Sequence, residues 1–217
     1  MTTITLIHTS QAHVQSFKAL ASRIAGDAEI VQIVREDWLT RARKHGLRQS
    51  LRKEIAETVE KAQGTVICTC TTIADAATEA GALRIDGPMM EKAAVIGGPI
   101  LLVYALESTR DTSLETLDIA LKKAGTPADV TLLDLSQFWP LFEAAEYEAF
   151  AACMAGGVRD ALEQRPFGCV VLAQASMASA TALLADIAPP VLSSPETALR
   201  AALAGQARSS FGESITT

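Results

Sequence analysis

Positive charge is scarce in this chain of 217 residues. It has 19 Lys and Arg side chains against 25 Asp and Glu side chains, which gives a formal net charge of -6 and a pI near 5.1. Proteins that hold nucleic acid through its phosphates need a broad basic surface. The composition therefore excludes nucleic acid as an expected partner. The one basic cluster, at 41–53, alternates with apolar residues and is predicted to be a solvated helix face.

Long apolar runs are also missing. No stretch approaches the roughly 18 apolar residues that indicate a membrane-spanning helix. The N-terminal sequence MTTITLIHTS passes from a short strand-like run straight into polar residues, unlike a secretory signal. The four cysteines lack the spacing of a disulfide framework. We therefore expect no membrane partner and a location in the reducing cytoplasm.

Motifs for phosphate-bearing cofactors are absent. The sequence contains neither GxxxxGK[ST] nor GxGxxG. Cys68 and Cys70 form a Cys-x-Cys pair, but no second pair or His cluster accompanies it, so a metal site is not expected. The sequence predicts no cofactor and no metal.

The chain instead contains a regular alternation of strand-like and helical patterns. Strand-like runs lie at 3–8, 29–34, 65–70, 99–105, 129–135, 169–173 and 191–192. Helical patterns lie at 12–25, in the basic region up to 62, from 72, and at 89–95, 111–124, 140–163, 176–186 and 195–204. Apolar strands that are each followed by a helix indicate parallel sheets covered on both faces. The handedness of such crossovers favours a doubly wound arrangement.

The two halves of the chain resemble each other. The segment GTVICTCTTIADAA, which starts at Gly64, matches GCVVLAQASMASAT, which starts at Gly168. Both run from a glycine through an apolar strand to a polar strand end, a small hydroxyl residue and an Ala-rich helix. In this match Cys70 falls on Gln174. We interpret the match as a structural duplication with a cleft between two equivalent loops.

Cys70 is the best candidate for a reactive group. Ligands of parallel α/β sheets bind beyond the carboxyl ends of the strands, and Cys70 ends a predicted strand there. A thiol at the start of a helix experiences the positive end of the helix dipole, which is expected to lower its pKa. A buried structural cysteine is the alternative. Cys68, two residues earlier on the same strand face, is predicted to belong to the core.

Further candidates share a position at the carboxyl end of a predicted strand. The predicted substrate-binding residues are His8, Thr9, Ser10, Thr71, Thr72, Ser108, Thr109, Ala175 and Ser176. Hydroxyl groups and free backbone N–H groups at a helix N-terminus suit a carboxylate ligand. Helix capping is the alternative for the hydroxyl residues, and a structural role is the alternative for the histidine.

Four segments resemble the aspartate/glutamate/hydantoin racemase superfamily, and together they span nearly the whole chain. They are VICTCTTIADAA, RIDGPMMEKA, VVLAQASMASA and VLSSPETALRAAL. The first looks like the Cys-Asn-Thr segment of that family, with Cys70 at the cysteine. The resemblance implies an α/β fold of two pseudo-symmetric Rossmann-like lobes with mainly parallel sheets and a cleft between them. Because the last helix of the family usually packs on the first lobe, we predict lobes of 1–96 plus 205–217 and of 97–204.

Gln174 departs from the family pattern. The resemblance implies a racemase that uses two cysteines without a cofactor, and the second cysteine normally stands at the position of Gln174. A side-chain amide does not exchange a proton at neutral pH, so two-thiol racemization is not expected. Related arylmalonate decarboxylases need one proton-donating cysteine, although theirs lies in the second lobe. Maleate isomerases are further relatives.

Three functional hypotheses follow from the residues and the resemblance. The first is a cofactor-independent racemase- or isomerase-like enzyme for a small carboxylate or amino-acid-like substrate. In it Cys70 is the acid/base or nucleophile, and Gln174 donates a hydrogen bond to a carboxylate or a developing enolate. The second is a catalytically inactive carboxylate-binding or regulatory module on the same fold, and the third is a decarboxylase-type lyase. The sequence leaves a homo-oligomer open.

Overall fold

Two four-stranded parallel sheets form the centre of the fold. The computed structural model describes the backbone of residues 2–212 and the side chains of residues 2–205. The first sheet has the strand order β2-β1-β3-β4 and the second has the order β6-β5-β7-β8. All strand pairs in both sheets are parallel. The predicted α/β class with two lobes built on parallel sheets is therefore confirmed.

The first unit comprises the chain up to Ile85 together with the chain from Pro195 onward. Its elements are β1 (Thr3–His8), α1 (Ala12–Ile24), β2 (Glu29–Val34), α2 (Glu36–His45), α3 (Gln49–Lys61), β3 (Thr65–Cys68), α4 (Ala74–Glu79) and β4 (Leu83–Arg84). A 3-10 turn, Thr71–Ile73, joins β3 to α4.

The second unit is Asp86–Ser194. Its elements are α5 (Gly87–Ile96), β5 (Ile100–Tyr104), α6 (Glu107–Ala124), β6 (Val130–Asp134), α7 (Trp139–Glu143), α8 (Tyr147–Gln164), β7 (Cys169–Leu172), α9 (Ala180–Leu183) and β8 (Val191–Ser193). Short 3-10 turns follow β6 (Ser136–Phe138) and β7 (Ala175–Met177). The last helix, α10 (Ser194–Gly212), leads back into the first unit.

Each unit has its own core between sheet and helices. In the first unit α3 buries Leu51, Ile55 and Val59, which lie four residues apart and therefore on one face of the helix. This face packs in a cluster with strand residues that include Cys68. In the second unit α5 and α6 pack on the sheet around Leu102. No helix among the described residues is long and apolar enough to span a membrane.

The sequence repeat corresponds to a repeated strand register. In the first sheet Ile4 lies opposite Thr65, and in the second Ile100 lies opposite Cys169. Thr65 and Cys169 are also paired by the sequence repeat, and the register adds Ile4 and Ile100 as equivalent positions. The duplication is thus present in the topology and register of the two units.

Glycine opens the third strand of each repeat because another backbone passes close by. A Cβ atom on Gly64 would lie 2.0 Å from the carbonyl oxygen of Thr3, the first residue of β1. A Cβ atom on Gly168 would lie 2.5 Å from the carbonyl oxygen of Gly97, ahead of β5. The two glycines therefore allow the same close approach of a neighbouring backbone at equivalent positions of the two units.

The lobe boundaries differ from the predicted ones. α5 packs against α6 and contributes Met89, Met90, Ala93 and Ala94 to the second core, so it belongs to the second unit and not to 1–96. α10 belongs almost wholly to the first unit, so that unit regains the chain at Pro195 and not at 205. Of the predicted segment 205–217, residues 213–217 lie outside the described residues.

Two predicted helices are shorter than expected. The pattern at 140–163 is not one helix, because Ala145 adopts a left-handed φ of 61° and separates α7 from α8. The pattern at 176–186 yields only the short α9, since successive hydrogen bonds from residue i to i+3 wind this segment as 3-10-type turns.

Two further boundaries also differ. α6 begins at Glu107, four residues before the predicted start. The two-residue β4 was not predicted, because a strand of one leucine and one arginine carries no apolar pattern.

Candidate active site

Cys70 lies where β3 gives way to the 3-10 turn of Thr71–Ile73. Its backbone is extended, so its side chain reaches the start of that turn. Its sulfur accepts hydrogen bonds from the side chains of Thr9 and Thr72 and from the backbone N–H groups of Thr72 and Ile73. The first N–H groups of a helical turn are available to outside acceptors, and here those of Thr72 and Ile73 reach the sulfur, although the Ile73 N–H also donates to the carbonyl oxygen of Cys70 at 3.3 Å.

The pKa of the Cys70 thiol shifts in the direction opposite to the one that the sequence predicted. Only part of the residue is accessible to solvent, and desolvation raises the pKa of its thiol above the ordinary value, although the four hydrogen bonds work in the other direction. The prediction of a lowered pKa is therefore wrong, because the loss of hydration outweighs the donors at the start of the turn. The thiol is protonated at neutral pH.

The other cysteines have structural surroundings. Cys68 is fully buried, belongs to the core of the first unit, and its sulfur donates to the carbonyl oxygen of Cys70 at 3.5 Å. The prediction that Cys68 is a core residue is confirmed. Cys169 is fully buried in the second core, and burial raises the pKa of its thiol to about 11. Cys153 is half-buried in α8.

His8 has both ring nitrogens engaged inside the first unit. Nδ1 lies 2.8 Å from the hydroxyl oxygen of Thr69, and Nε2 lies 2.9 Å from the side-chain oxygen of Gln32. The ring is fully buried and packs 5.1 Å from the ring of Phe17. Burial lowers the pKa of His8 to about 4, against a weaker opposing effect of the Gln32 hydrogen bond. A neutral ring with two internal partners stabilises the strand end, and its predicted contact with substrate is not supported by this geometry.

We expect the free energy of unfolding to fall as the pH is lowered from about 6.5 to about 4. In this range the unfolded chain binds a proton at His8 that the folded chain excludes, so acid favours unfolding. Full protonation of His8 would lower the free energy of unfolding by about 3 kcal/mol. His13 adds to the effect, because burial and the neighbouring His8 also lower the pKa of His13 to about 4. Urea unfolding at pH 7.0, 5.5 and 4.5 measures this dependence.

The matched variants are His8→Gln and His45→Gln. His8→Gln should reduce the dependence on pH, whereas His45→Gln, at an exposed position, should leave it unchanged. If the free energy of unfolding of His8→Gln depended on pH as strongly as that of the unchanged protein, His8 would not be a source of the pH dependence.

The hydroxyl groups of the first unit mostly have internal partners. The Thr9 and Thr72 side chains contact the Cys70 sulfur. The Ser10 hydroxyl accepts a hydrogen bond from the N–H of Ala12 at 3.3 Å, at the start of α1. Thr71 is buried in the 3-10 turn. The structure thus places the side chains of Thr9 and Thr72 at the Cys70 sulfur, with Thr71 next to Cys70 in the chain, and substrate binding by these residues stays a prediction.

Gln174 takes the equivalent position in the second unit. It is buried, and its side-chain oxygen accepts hydrogen bonds from the N–H groups of Ala105 and Leu106 at 2.6 and 2.9 Å. These N–H groups follow β5, where the sequence predicted that a ligand carboxylate would be held. The amide oxygen of the protein occupies them instead. The NH2 end of the side chain is left as the end that can donate to a ligand.

The remaining predicted residues of the second unit lie either directly after Gln174 or at the start of α6. Ala175 and Ser176 begin the 3-10 turn after it, and the hydroxyl of Ser176 is buried without a hydrogen-bond partner among the described residues. Ser108 and Thr109 belong to the first turn of α6 and not to a preceding loop. The Thr109 hydroxyl donates to the carbonyl oxygen of Leu106 at 2.7 Å, so its proton is used within the first turn of α6 and it does not cap the helix.

Sequence reasoning missed a pair of residues at the ends of β5 and β6. The Tyr104 hydroxyl hydrogen-bonds to Asp134. Burial first, and then the negative charge of Asp134, raises the pKa of Tyr104. Burial opposes ionisation of Asp134, but hydrogen bonds from Ser136 and Tyr104 leave the pKa of its carboxyl lowered. The strand-end rule could have found Asp134, since it is the last residue but one of the predicted strand at 129–135, whereas Tyr104 was hidden in an apolar run.

No group of three or more His, Cys, Asp or Glu side chains is arranged as metal ligands would be, within the part of the chain that the structure describes. The predictions of no metal and no cofactor stay predictions.

The fold resembles that of several solved enzymes, although no family model matches the sequence and no curated protein matches it significantly. Aspartate racemase from Picrophilus torridus superposes with a TM-score of 0.67 at 11% identity, covering 94% of this chain and 94% of its own. Allantoin racemase from Klebsiella pneumoniae superposes with a TM-score of 0.62 at 18% identity, covering 96% of this chain and 89% of its own. The chain has the racemase fold.

A third structure with the racemase fold is glutamate racemase from Aquifex pyrophilus. It superposes with a TM-score of 0.52 at 14% identity and covers 92% of this chain and 82% of its own. The resemblance to the aspartate/glutamate/hydantoin racemase superfamily that the sequence motifs indicated is confirmed at the level of the fold. Identities this low leave the substrate and the reaction to be argued from the residues.

Proposed function

We propose that this chain is a cofactor-independent enzyme of the racemase-like superfamily that acts at the carbon next to a small carboxylate group. Cys70 serves as its acid/base. The observation that carries the proposal is the position of the Cys70 thiol beyond β3, where two backbone N–H groups and two threonine hydroxyls converge on the sulfur. Convergent donors of this kind stabilise a thiolate as it forms during proton transfer.

Each half of the exchange uses one form of Cys70: the thiolate removes the proton next to the carboxylate and so generates a carbanion or enediolate, and the neutral thiol formed in that step returns a proton to it. Its raised pKa makes the thiol a proton donor at neutral pH. After donation, the thiolate is held by the threonine hydroxyls and can recover its proton from water or from the substrate. A single thiol that both removes and returns a proton works on one face of the reacting carbon.

In this proposal Gln174 is a hydrogen-bond donor to the substrate. Its oxygen is fixed by the N–H groups of Ala105 and Leu106, which orients the NH2 group in a defined direction. A fixed NH2 group is suited to a carboxylate oxygen or to the oxygen of an enediolate. It does not replace a second thiol, so the proposal does not include two-base racemization.

The proposal predicts exchange of the proton next to the carboxylate without inversion. Incubation with a panel of amino acids and dicarboxylates in D2O should replace that proton with deuterium, because the thiol exchanges with solvent between removal and return. NMR measures the exchange, and chiral chromatography measures the configuration, which should be retained. Rapid racemization at a rate equal to that of exchange would contradict a one-thiol mechanism.

A decarboxylase-type lyase is the second candidate, and the protonated thiol favours it. Loss of CO2 leaves an enediolate that needs one proton, and a thiol with a raised pKa can donate it. Malonate derivatives in the same panel, with release of CO2 as the measurement, distinguish the two reactions. Decarboxylation should decline at alkaline pH as the thiol ionises, whereas exchange that begins with proton removal should rise.

A carboxylate-binding module without catalysis is the third candidate. It is favoured by the amide at position 174, whose oxygen is already satisfied by the protein itself. Thermal stabilisation by members of the panel, with no exchange and no release of CO2, would support this candidate over both enzymes.

A further inference from the structure

Thr9 and Cys70 lie side by side just beyond the carboxyl ends of the adjacent parallel strands β1 and β3. The last paired residues of β1 and β3 are Ile7 and Cys68. Side chains alternate along a strand, so the residues two positions further on, Thr9 and Cys70, point to the same face. Thr9 is 5% exposed, and its side chain hydrogen-bonds to the Cys70 sulfur.

The second unit provides an internal comparison. Its equivalent strand pair, Val103 and Leu172, places Ala105 opposite Gln174. Ala105 has no hydroxyl group, and there the backbone N–H donates to the Gln174 oxygen at 2.6 Å. The hydroxyl thus occurs in the repeat that has the thiol and not in the repeat that has the amide. This difference associates the Thr9 hydroxyl with the sulfur chemistry and not with the fold that both units share.

We propose that Thr9 is a positioning residue that donates its hydroxyl to the Cys70 sulfur and thereby sets the fraction of thiolate at a given pH. This role replaces the contact with substrate that the sequence predicted for Thr9. Its importance for turnover rests on the proposed function, whereas its effect on the thiol can be measured without any substrate.

The direction of the effect follows from the charge of the thiolate. A hydroxyl donor binds a charged sulfur more strongly than a neutral one, so it favours ionisation. Burial opposes ionisation of the same group and is the larger effect. Without the hydroxyl, one fewer hydrogen bond stabilises the thiolate against the effect of burial, so the pKa of the thiol should rise. Hydrogen bonds to charged groups are strong enough to change the thiolate fraction about tenfold.

The experiment is the rate of alkylation of Cys70 by iodoacetamide as a function of pH, in the full chain and without substrate. Peptide fragmentation in the mass spectrometer separates Cys70 from Cys68. In Thr9→Val the midpoint of the pH profile should rise by about one unit, which slows alkylation near neutral pH about tenfold. Thr9→Ser, which keeps the hydroxyl, should resemble the unchanged protein.

Thr5→Val is the matched control. Thr5 lies in β1, four residues before Thr9 and by the same alternation on the same face, and is fully buried, but its hydroxyl donates to the carbonyl oxygen of Gln63 at 2.7 Å. Its replacement removes a buried hydroxyl without touching Cys70 and should leave the midpoint unchanged. If Thr9→Val does not fold, the pair Thr9→Ala and Thr9→Ser still isolates the hydroxyl, because both lack the methyl group of threonine.

Equal midpoints in Thr9→Ser and Thr9→Ala, or a midpoint in Thr9→Val that is unchanged or lowered, would overturn the proposal. A raised midpoint would support it even if Cys70 proved dispensable for turnover, in which case the proposed function alone would fail. The converse result is that a Cys70 variant loses turnover while Thr9→Ser and Thr9→Ala have equal midpoints. This result would support the proposed function and refute the role of Thr9.

Discussion

Cys70→Ser is expected to lower turnover about 1000-fold, the range typical of a lost acid/base. Serine is close in size and keeps the contacts of the partly buried side chain, but its hydroxyl ionises far less readily than a thiol. The donors from Thr9, Thr72 and Ile73 would still converge on the oxygen, yet no proton could be exchanged at a useful rate. Deuterium exchange and CO2 release on the substrate panel measure the loss.

Cys153→Ser is the matched control for this experiment. Cys153 lies half-buried within α8 of the second unit, away from any strand end. Its replacement should leave turnover unchanged, and circular dichroism should be the same for both variants and the unchanged protein. Full activity in Cys70→Ser would refute a catalytic role for the thiol, while equal losses in both variants would indicate a general effect on the fold.

Gly64→Ala is expected to lower the free energy of unfolding by about 4 kcal/mol. Gly64 has a φ of +69°, which disfavours any residue with a Cβ atom, and that atom would lie 2.0 Å from the carbonyl oxygen of Thr3. The obstacle is backbone and not the end of a flexible side chain, so the strand β1 itself would have to shift. Urea unfolding of the full chain measures the loss.

Gly26→Ala separates the two causes of that loss. Gly26 has a similar φ of +56°, but a Cβ atom there would meet nothing within 4 Å. It should therefore show only the cost of the left-handed backbone, about 1–2 kcal/mol. If Gly64→Ala and Gly26→Ala destabilised the chain equally, the close approach to Thr3 would not constrain the first sheet.

The strands were predictable because their signal is local. β1 and β2 have the predicted bounds, β5 and β6 are one residue shorter than predicted at each end, and β7 is one residue shorter at its carboxyl end. An apolar run of four to six residues between polar turns is enough to mark a buried parallel strand. The division of the pattern at 140–163 was not predictable, because it depends on the backbone of one residue, Ala145, for which the sequence carries no glycine signal.

The position of the candidate site was also predictable, whereas its chemistry was not. The strand-end rule located Cys70 and Gln174, and the repeat placed them in equivalent positions of two sheets. The pKa of Cys70 shifts in the direction opposite to the prediction, because the burial that raises it depends on contacts from many elements. Hydrogen-bond partners such as Thr9 for Cys70, and Ala105 for Gln174, likewise lie on neighbouring strands far away in sequence.

The sequence by itself determined the class of fold, the duplication, the residues at the strand ends and the absence of a second thiol at position 174. These depend on residue type and on short-range periodicity, which are properties of the chain. Only the tertiary structure decided that burial raises the pKa of the Cys70 thiol, that burial lowers the pKa of His8 and both its ring nitrogens are engaged, and that the Gln174 oxygen is occupied by backbone N–H groups. Solvation and hydrogen bonding across strands require residues that folding alone brings together, so no reading of local pattern could have supplied them.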